Sequence, residues 1–215
     1  MRLARIPGVF RPRSDTWLLA AELRRRPQVR GGAVLDVCSG SGVLAIAAAL
    51  AGARDVTAVD VSPRAVLAAR INARLNGVRI EALRGDLLAA VPGRLFDVIV
   101  SNPPYLPGAL PARGRARHTE AGAGGRALLD RMIDAAPAHL APGGVLLVTH
   151  SSVNGEEATV ERMRAAGLEP SVAERRRGAL GPLLSARAPE LEENGLIARG
   201  ERSEDLLVLA GAARR

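Results

Sequence analysis

The stretch Ala33-Val34-Leu35-Asp36-Val37-Cys38-Ser39-Gly40-Ser41-Gly42-Val43-Leu44-Ala45 decides the fold. Its first half is a short apolar run with β-branched residues, which predicts a buried strand over 33–38. Two glycines then allow a tight turn, and the small apolar residues of 42–51 predict a helix. A strand that passes through a glycine turn directly into a helix is the opening unit of a parallel α/β sheet.

The pattern repeats outward from there. Strands are expected at Asp55–Asp60, 79–84 and Phe96–Ser101, the last nearly all apolar, as a strand covered on both faces should be. A helix is expected over 63–76, with Ser62 as N-cap, Pro63 at its first position and Asn76-Gly77 as its stop. Further along come a helix at 126–140, a strand at 144–150 and a helix at 155–166. The tail offers a strand near 171–176, a helix near 182–193 and a last strand at 205–210, the final elements suiting an antiparallel edge hairpin. The irregular segment 102–125, rich in Pro, Gly and Arg, follows the C-terminal end of a central strand, where ligands of open α/β sheets bind.

Composition narrows the function classes. The 215 residues, 47% of them hydrophobic, suffice for one domain with a full core. No apolar run approaches the roughly 20 residues of a membrane span. The arginine-bearing first twelve residues lack the apolar segment of a secretory signal, so a soluble cytoplasmic protein is expected. The net charge of +8 comes from 30 basic residues, every one an arginine, and they are scattered. The tight clusters, Arg24-Arg25-Arg26 and Arg175-Arg176-Arg177, read as a solvated helix end and an exposed strand. Aromatic residues make up 2% of the chain, which speaks against base stacking on single-stranded nucleic acid. Cys38 is the sole cysteine, and His118, His139 and His150 have no ligand spacing, so neither a disulfide within the chain nor a metal site is expected.

Gly40 and Gly42 permit close backbone approach to a ligand, and Asp60, with Val61 beside it, ends the second strand about 20 residues on, the spacing at which an acid meets a ribose diol. Gly40-Ser41-Gly42-Val43-Leu44-Ala45 also fits the loose dinucleotide fingerprint. Asp36 bears on the choice. Just before the glycines, its carboxylate would repel a pyrophosphate and attract the sulfonium and ammonium of S-adenosylmethionine. Asp86, followed by Leu87, reads either as an acceptor for an adenine amino group or as a helix N-cap.

Asn102-Pro103-Pro104-Tyr105 follows the fourth strand directly. The prolines fix the backbone and remove two donors. The Asn102 side-chain oxygen and the Pro103 carbonyl are then two acceptors for one –NH2 group, with Tyr105 covering its planar face. An amide or aromatic amine nitrogen is a poor nucleophile because its lone pair is delocalised. Acceptors on its hydrogens, together with positioning, favour attack on a methyl donor without a strong base.

These residues resemble the class I methyltransferases, and within them the HemK/PrmC glutamine methyltransferases. The resemblance runs from about Val9 to the C-terminus and includes Phe10-Arg11-Pro12-Arg13-Ser14-Asp15-Thr16, similar to a family segment whose Thr hydroxyl contacts the cofactor's carboxylate. It implies a Rossmann-like, seven-stranded, mostly parallel sheet in the order 3-2-1-4-5-7-6. The implied cofactor is S-adenosyl-L-methionine, held by Thr16, Asp36, Cys38, Gly40, Gly42, Asp60, Val61, Asp86, Leu87 and Asn102. The catalytic residues implied are Asn102, Pro103 and Tyr105, and the acceptor is a glutamine in a protein such as a release factor. A small activating subunit is compatible with the resemblance. Cys38 departs from it, standing where the family often has Gly. With about 30 residues before the first strand, the chain resembles the compact members without a separate helical substrate domain, residues 1–30 forming a helical capping segment. The segment 119–126 lacks an aromatic and an acid expected there. Rival readings are a small-molecule N-methyltransferase, an adenine-N6 methyltransferase, an NAD enzyme, and a methyltransferase-fold partner subunit without activity.

Overall fold

The computed structural model describes residues 1–108, 121–122 and 124–214. Seven strands form one sheet: β1 (Ala33–Val37), β2 (Asp55–Asp60), β3 (Glu81–Arg84), β4 (Phe96–Ser101), β5 (Leu140–Ser151), β6 (Leu168–Ala179) and β7 (Ser203–Ala213). Their order is β3-β2-β1-β4-β5-β7-β6, as the resemblance implied. The first five pair in parallel, and β7 runs antiparallel to both β5 and β6. The helices are α1 (Ser14–Arg25), α2 (Val43–Leu50), α3 (Pro63–Leu75), α4 (Ala127–Ala135), α5 (Glu156–Ala165), α6 (Pro182–Ser185) and α7 (Ala188–Glu193). Among the described residues no helix is long and apolar enough to cross a membrane.

Strand periodicity of two splits the core into two layers. Val34, Val98, Val100 and Leu147 point to one face and pack with Leu19 and Leu23 of α1 and the alanines of α2. Leu35, Val37, Ile99 and Leu146 point to the other, against Leu129, Met132 and Ile133 of α4 and Met163 of α5. Both faces of β1 and β4 are therefore buried, which is why their sequences read as near-continuous apolar runs.

Proline accounts for two departures from expectation. The helix expected over 126–140 ends at Ala135, and Ala136–His139 is a 3-10 turn with Pro137 near its start. The helix expected over 182–193 is two short helices, α7 starting with Pro189 in its first turn. A proline there cannot continue a preceding helix, because it has no N–H and its ring meets the carbonyl four residues back. β6 and β7 extend beyond the expected spans because each gains ladder partners from the other, across an irregularity between Val172 and Glu174.

The two arginine clusters lie on elements that touch, and three of their six charges are paired within the fold. Glu22 pairs with Arg25 and Arg26, Arg25 also reaches Glu174, and Arg175 binds Glu156 and Asp205. Most of these pairs are solvated and contribute little to stability.

The sheet order reverses between β1 and β4, which opens a crevice at their C-terminal ends. Ser101 at the end of β4 closes the base of the crevice by donating its hydroxyl hydrogen to the Val37 carbonyl at 2.7 Å. The glycine turn crosses its mouth. Gly42 has φ +79, and a Cβ there would lie 2.9 Å from both Cα and Cβ of Ala69 in α3. Gly42→Ala is therefore expected to lower unfolding free energy by about 2–4 kcal/mol, from left-handed strain plus overpacking. Urea unfolding of the two proteins measures it.

Candidate active site

A cavity of about 400 Å³ fills the crevice. Its walls come from the C-terminal ends of four strands: Cys38 to Ser41 after β1, Asp60 and Val61 after β2, Gly85 to Leu87 after β3, and Asn102 with Pro104 after β4. Phe10, Pro12 and Thr16 close it from the N-terminal side. Most of the residues expected to hold the cofactor thus line one cavity, and two do not.

Those two are Asp36 and Gly42. Gly40 carries the close-approach role alone: its φ is +53 and nothing lies within 4 Å of where its Cβ would be. Gly42 serves packing against α3 instead. Asp36 is fully buried beneath the turn, where one carboxylate oxygen accepts the Ala45 N–H at 2.9 Å and the other has no partner. Burial raises its pKa from 3.8 to about 8, against the lowering effect of the Ala45 bond. The structure takes Asp36 off the cavity wall, so a bound cofactor would meet it through the turn and not by contact, and it braces the start of α2.

Asp60 is on the wall, and it also shapes the turn. One oxygen accepts the Gly40 N–H and the other the Ser62 N–H, both at 2.9 Å. Asp86 lines the cavity and makes no capping bond to the 3-10 turn that follows it, so the N-cap alternative does not hold. It accepts instead from Arg131 of α4 at 2.7 Å, a partner that sequence reasoning did not foresee.

The segment after β4 is oriented by a residue that the sequence places in a motif without giving it a role. Asp15, in the first turn of α1, is 4% exposed. Its Oδ1 accepts from the Thr16 backbone at 2.6 Å and the Thr16 hydroxyl at 3.2 Å, and its Oδ2 accepts the Tyr105 hydroxyl at 2.8 Å. An ionised carboxylate only accepts, so the Thr16 proton is directed at Asp15 and the Thr16 oxygen must accept. It accepts from Asn102 Nδ2 at 2.9 Å. The amide of Asn102 is thereby turned so that Oδ1 faces away, and that oxygen is buried without a partner. Thr16 lines the larger cavity as the resemblance implied, and its hydroxyl also orients Asn102.

Asn102 and Pro104 are shared with a second cavity of about 120 Å³. Pro103 and Tyr105 line this one and not the first. Its remaining wall includes Gly181 to Leu184 around α6 and Glu204 and Leu206 of β7, residues that no motif announced. Asn102, whose Oδ1 is buried without a partner, therefore stands where a large cavity meets a small one.

A family described as the methyltransferase small domain matches residues 1–167. The chain belongs to that family. A Methanocaldococcus jannaschii protein named as a putative protein N5-glutamine methyltransferase is 36% identical over 172 residues, covering 79% of this chain and 85% of that protein. The release factor glutamine methyltransferase of Deinococcus radiodurans is 40% identical over 171 residues, covering 75% of this chain and 60% of its own length. Among solved structures, Mtq2 of E. cuniculi, in a complex with Trm112 described as responsible for methylation of the termination factor eRF1, aligns with TM-score 0.67 at 22% identity, over 96% of this chain and 99% of that one. The T. thermophilus 16S rRNA N2 G1207 methyltransferase, solved with AdoMet and guanosine, aligns with TM-score 0.65 at 23% identity, over 99% of this chain and 50% of that one. The last two are likenesses of fold.

In this methyltransferase the cavity wall also stores backbone strain. Cys38 and Leu87, neither a glycine, have φ +58 and +49. A side chain in that region costs about 1–2 kcal/mol, which gives the physical reason why a glycine suits position 38. Burial, followed by the charges of Asp60 and Asp36, raises the Cys38 thiol well above its ordinary range, so it is no nucleophile. Among the described residues no cluster could hold a metal ion. The loop after the motif is pinned from behind. Asn154 Nδ2 donates to the Tyr105 carbonyl at 2.6 Å and to Gly124 at 3.1 Å, and a Cβ on Gly125 would lie 2.1 Å from that same Tyr105 oxygen. Of the altered stretch 119–126 noted in the sequence, 119, 120 and 123 lie outside the described residues.

Asp15→Ala leaves Thr16 free to donate to Asn102 and releases Tyr105. Methyl transfer should fall about 100-fold, as for other misplaced reacting groups, with the fold intact by circular dichroism. A second prediction concerns pH. Asp36 holds its proton in the folded state up to about pH 8 and releases it near 3.8 when unfolded, so it weakens the fold as pH rises between those values. His150, whose pKa burial lowers from 6.5 to about 4, acts in the opposite sense between 4 and 6.5. The two offset each other there, leaving Asp36 alone above 6.5. Stability should drop by about 2 kcal/mol from pH 6.5 to 8, and Asp36→Asn should remove the drop in urea titrations at the two pH values.

Proposed function

We propose that the methyltransferase moves the methyl group of S-adenosylmethionine to the side-chain amide nitrogen, N5, of a glutamine in a protein, with a peptide chain release factor as the substrate class. The observation that carries this reading is the buried, unpartnered Oδ1 of Asn102 at the junction of the two cavities. The names and identities of the curated relatives support it.

The larger cavity fits the cofactor. Its floor has room over Gly40, its wall carries the buried, unpartnered hydroxyl of Ser39, and Asp60 stands at the β2 end where a ribose would lie. Asp60 and Val61 would hold the ribose edge, Asp86 and Leu87 the adenine, and Cys38, Ser39 and Gly40 the amino-acid end. S-adenosylmethionine, when bound, supplies a methyl group on a sulfonium. The chain supplies the rest. Asn102 Oδ1 accepts one hydrogen of the amide –NH2, which favours localisation of the nitrogen lone pair on the face toward the methyl group. The Tyr105 ring covers the other side of the amide plane. Tyr105 is not a base: burial and the Asp15 charge push its pKa well above that of a free phenol, so it keeps its proton. The nitrogen, cationic once methylated, is acidic enough to release its proton to water.

Asn102→Ala should abolish turnover, by about 100-fold or more, while cofactor affinity by calorimetry stays within a few-fold. The acceptor is tested by incubating the protein, alone and with a Trm112-like subunit, with a Gly-Gly-Gln release-factor segment and with an adenine-containing oligonucleotide. A mass gain of one methyl group on the Gln peptide is expected. Methylation of the oligonucleotide with none on the peptide would refute the glutamine reading.

A further inference from the structure

Glu204 stands at the start of β7, opposite Gly178 of β6, on the wall of the smaller cavity. It is 7% exposed. Half of its carboxylate serves the fold, since Oε1 accepts the Gly181 N–H at 2.6 Å and holds the turn into α6. The other half does not. Oε2 is buried and makes no hydrogen bond. A buried carboxylate oxygen without a partner is expensive, and on a cavity wall a ligand that donates to it recovers that cost.

The rest of that cavity shows what the ligand must bring. Asp15 has both oxygens engaged by Thr16 and Tyr105. The cation on the wall, Arg13, lies over the Phe10 ring at 5.5 Å. Among the described lining residues, the buried side-chain capacity left unmet is of one kind, acceptors, at two separate points: Asn102 Oδ1 and Glu204 Oε2. An occupant that donates at both points would satisfy them. At about 120 Å³ the cavity holds a slender side chain and little more. Glu204 also borders an adjoining cavity of about 180 Å³ lined by Ser152, Arg177 and Leu196, so it lies where chain flanking an inserted side chain would run.

We propose that Glu204 is a specificity-determining residue of the acceptor site, its Oε2 taking a main-chain N–H of the peptide whose side-chain nitrogen is held by Asn102. This rests on the protein-acceptor reading above. A nucleobase presented to Asn102 brings no main-chain N–H and leaves Glu204 unsatisfied. A peptide with proline at the contacting position, which has no N–H, is rejected for the same reason.

The test uses Glu204→Gln, which keeps an acceptor oxygen for Gly181 but offers an –NH2 in place of Oε2, and Glu204→Asp, which keeps the charge and withdraws the oxygen. Each is compared with the unaltered protein on the Gln peptide and on a set of peptides N-methylated at one flanking position each. Thermal midpoints confirm folding. KM for the unmodified peptide should rise about tenfold or more in both variants, with kcat and cofactor affinity little changed. One N-methylated peptide should lose about as much with the unaltered protein, and that penalty should vanish in Glu204→Gln, because the contact is already gone. An unchanged KM in the variants, or an N-methyl penalty that persists in Glu204→Gln, overturns the proposal and leaves glutamine methylation standing. An unaltered protein that methylates no peptide sinks the protein-acceptor reading itself, and this proposal with it.

Discussion

The carboxylate of Asp15 is the point on which the acceptor side of the site depends. It acts on the Asn102–Tyr105 motif without belonging to it. One oxygen fixes which way the Thr16 hydroxyl points, and through Thr16 which way the Asn102 amide is turned. The other holds the Tyr105 phenol. An anion so deep in the protein needs compensation. It has that from the N–H of Thr16 and from its place in the first turn of α1, where the helix dipole favours negative charge. The helix in turn is held by Leu19 and Leu23, which insert into the core over the central strands. The orientation of an amide group at the end of β4 thus rests on apolar packing of a helix more than eighty residues earlier in the chain.

The cofactor side is organised around a different acid and a different principle. Asp36 is buried because the alternation of β1 points it into the layer beneath α2, and it tolerates burial by keeping its proton. Asp60, one strand over, reaches the rim of the crevice, and its two oxygens bind backbone N–H groups of the turns after β1 and β2. One carboxyl braces the glycine turn from below and the other from its rim. Together with the positive φ values of Cys38 and Leu87, they hold the cavity wall in a shape that the local sequence would not adopt unaided.

Some of the unmet hydrogen-bonding capacity falls on residues of the two cavities. Asn102, Ser39 and Glu204 each carry a buried polar atom without a partner on a cavity wall. Such atoms raise the free energy of the empty protein, and a ligand that satisfies them recovers it.

By itself, the sequence determined the α/β class, the places of the central strands, the glycine turn and the Asn102–Tyr105 motif. These are legible because they depend on local pattern: period-two and all-apolar runs for buried strands, glycine for a turn, proline for a fixed loop. The same local logic, applied without the prolines at 137 and 189, ran two helices too long. Roles were less legible than places. Gly40 and Gly42 are alike in sequence, yet one faces a ligand cavity and the other faces Ala69. Asp36 and Asp60 both lie near strand ends, yet one is neutral beneath the turn and the other is on the wall. Only the tertiary structure decided these, because which face of a turn meets solvent is set by the helix packed behind it. It also decided Asp15, Asn154, Arg131 and Glu204, whose partners lie tens of residues away in the chain: a hydrogen bond between distant segments leaves no periodicity for sequence to carry.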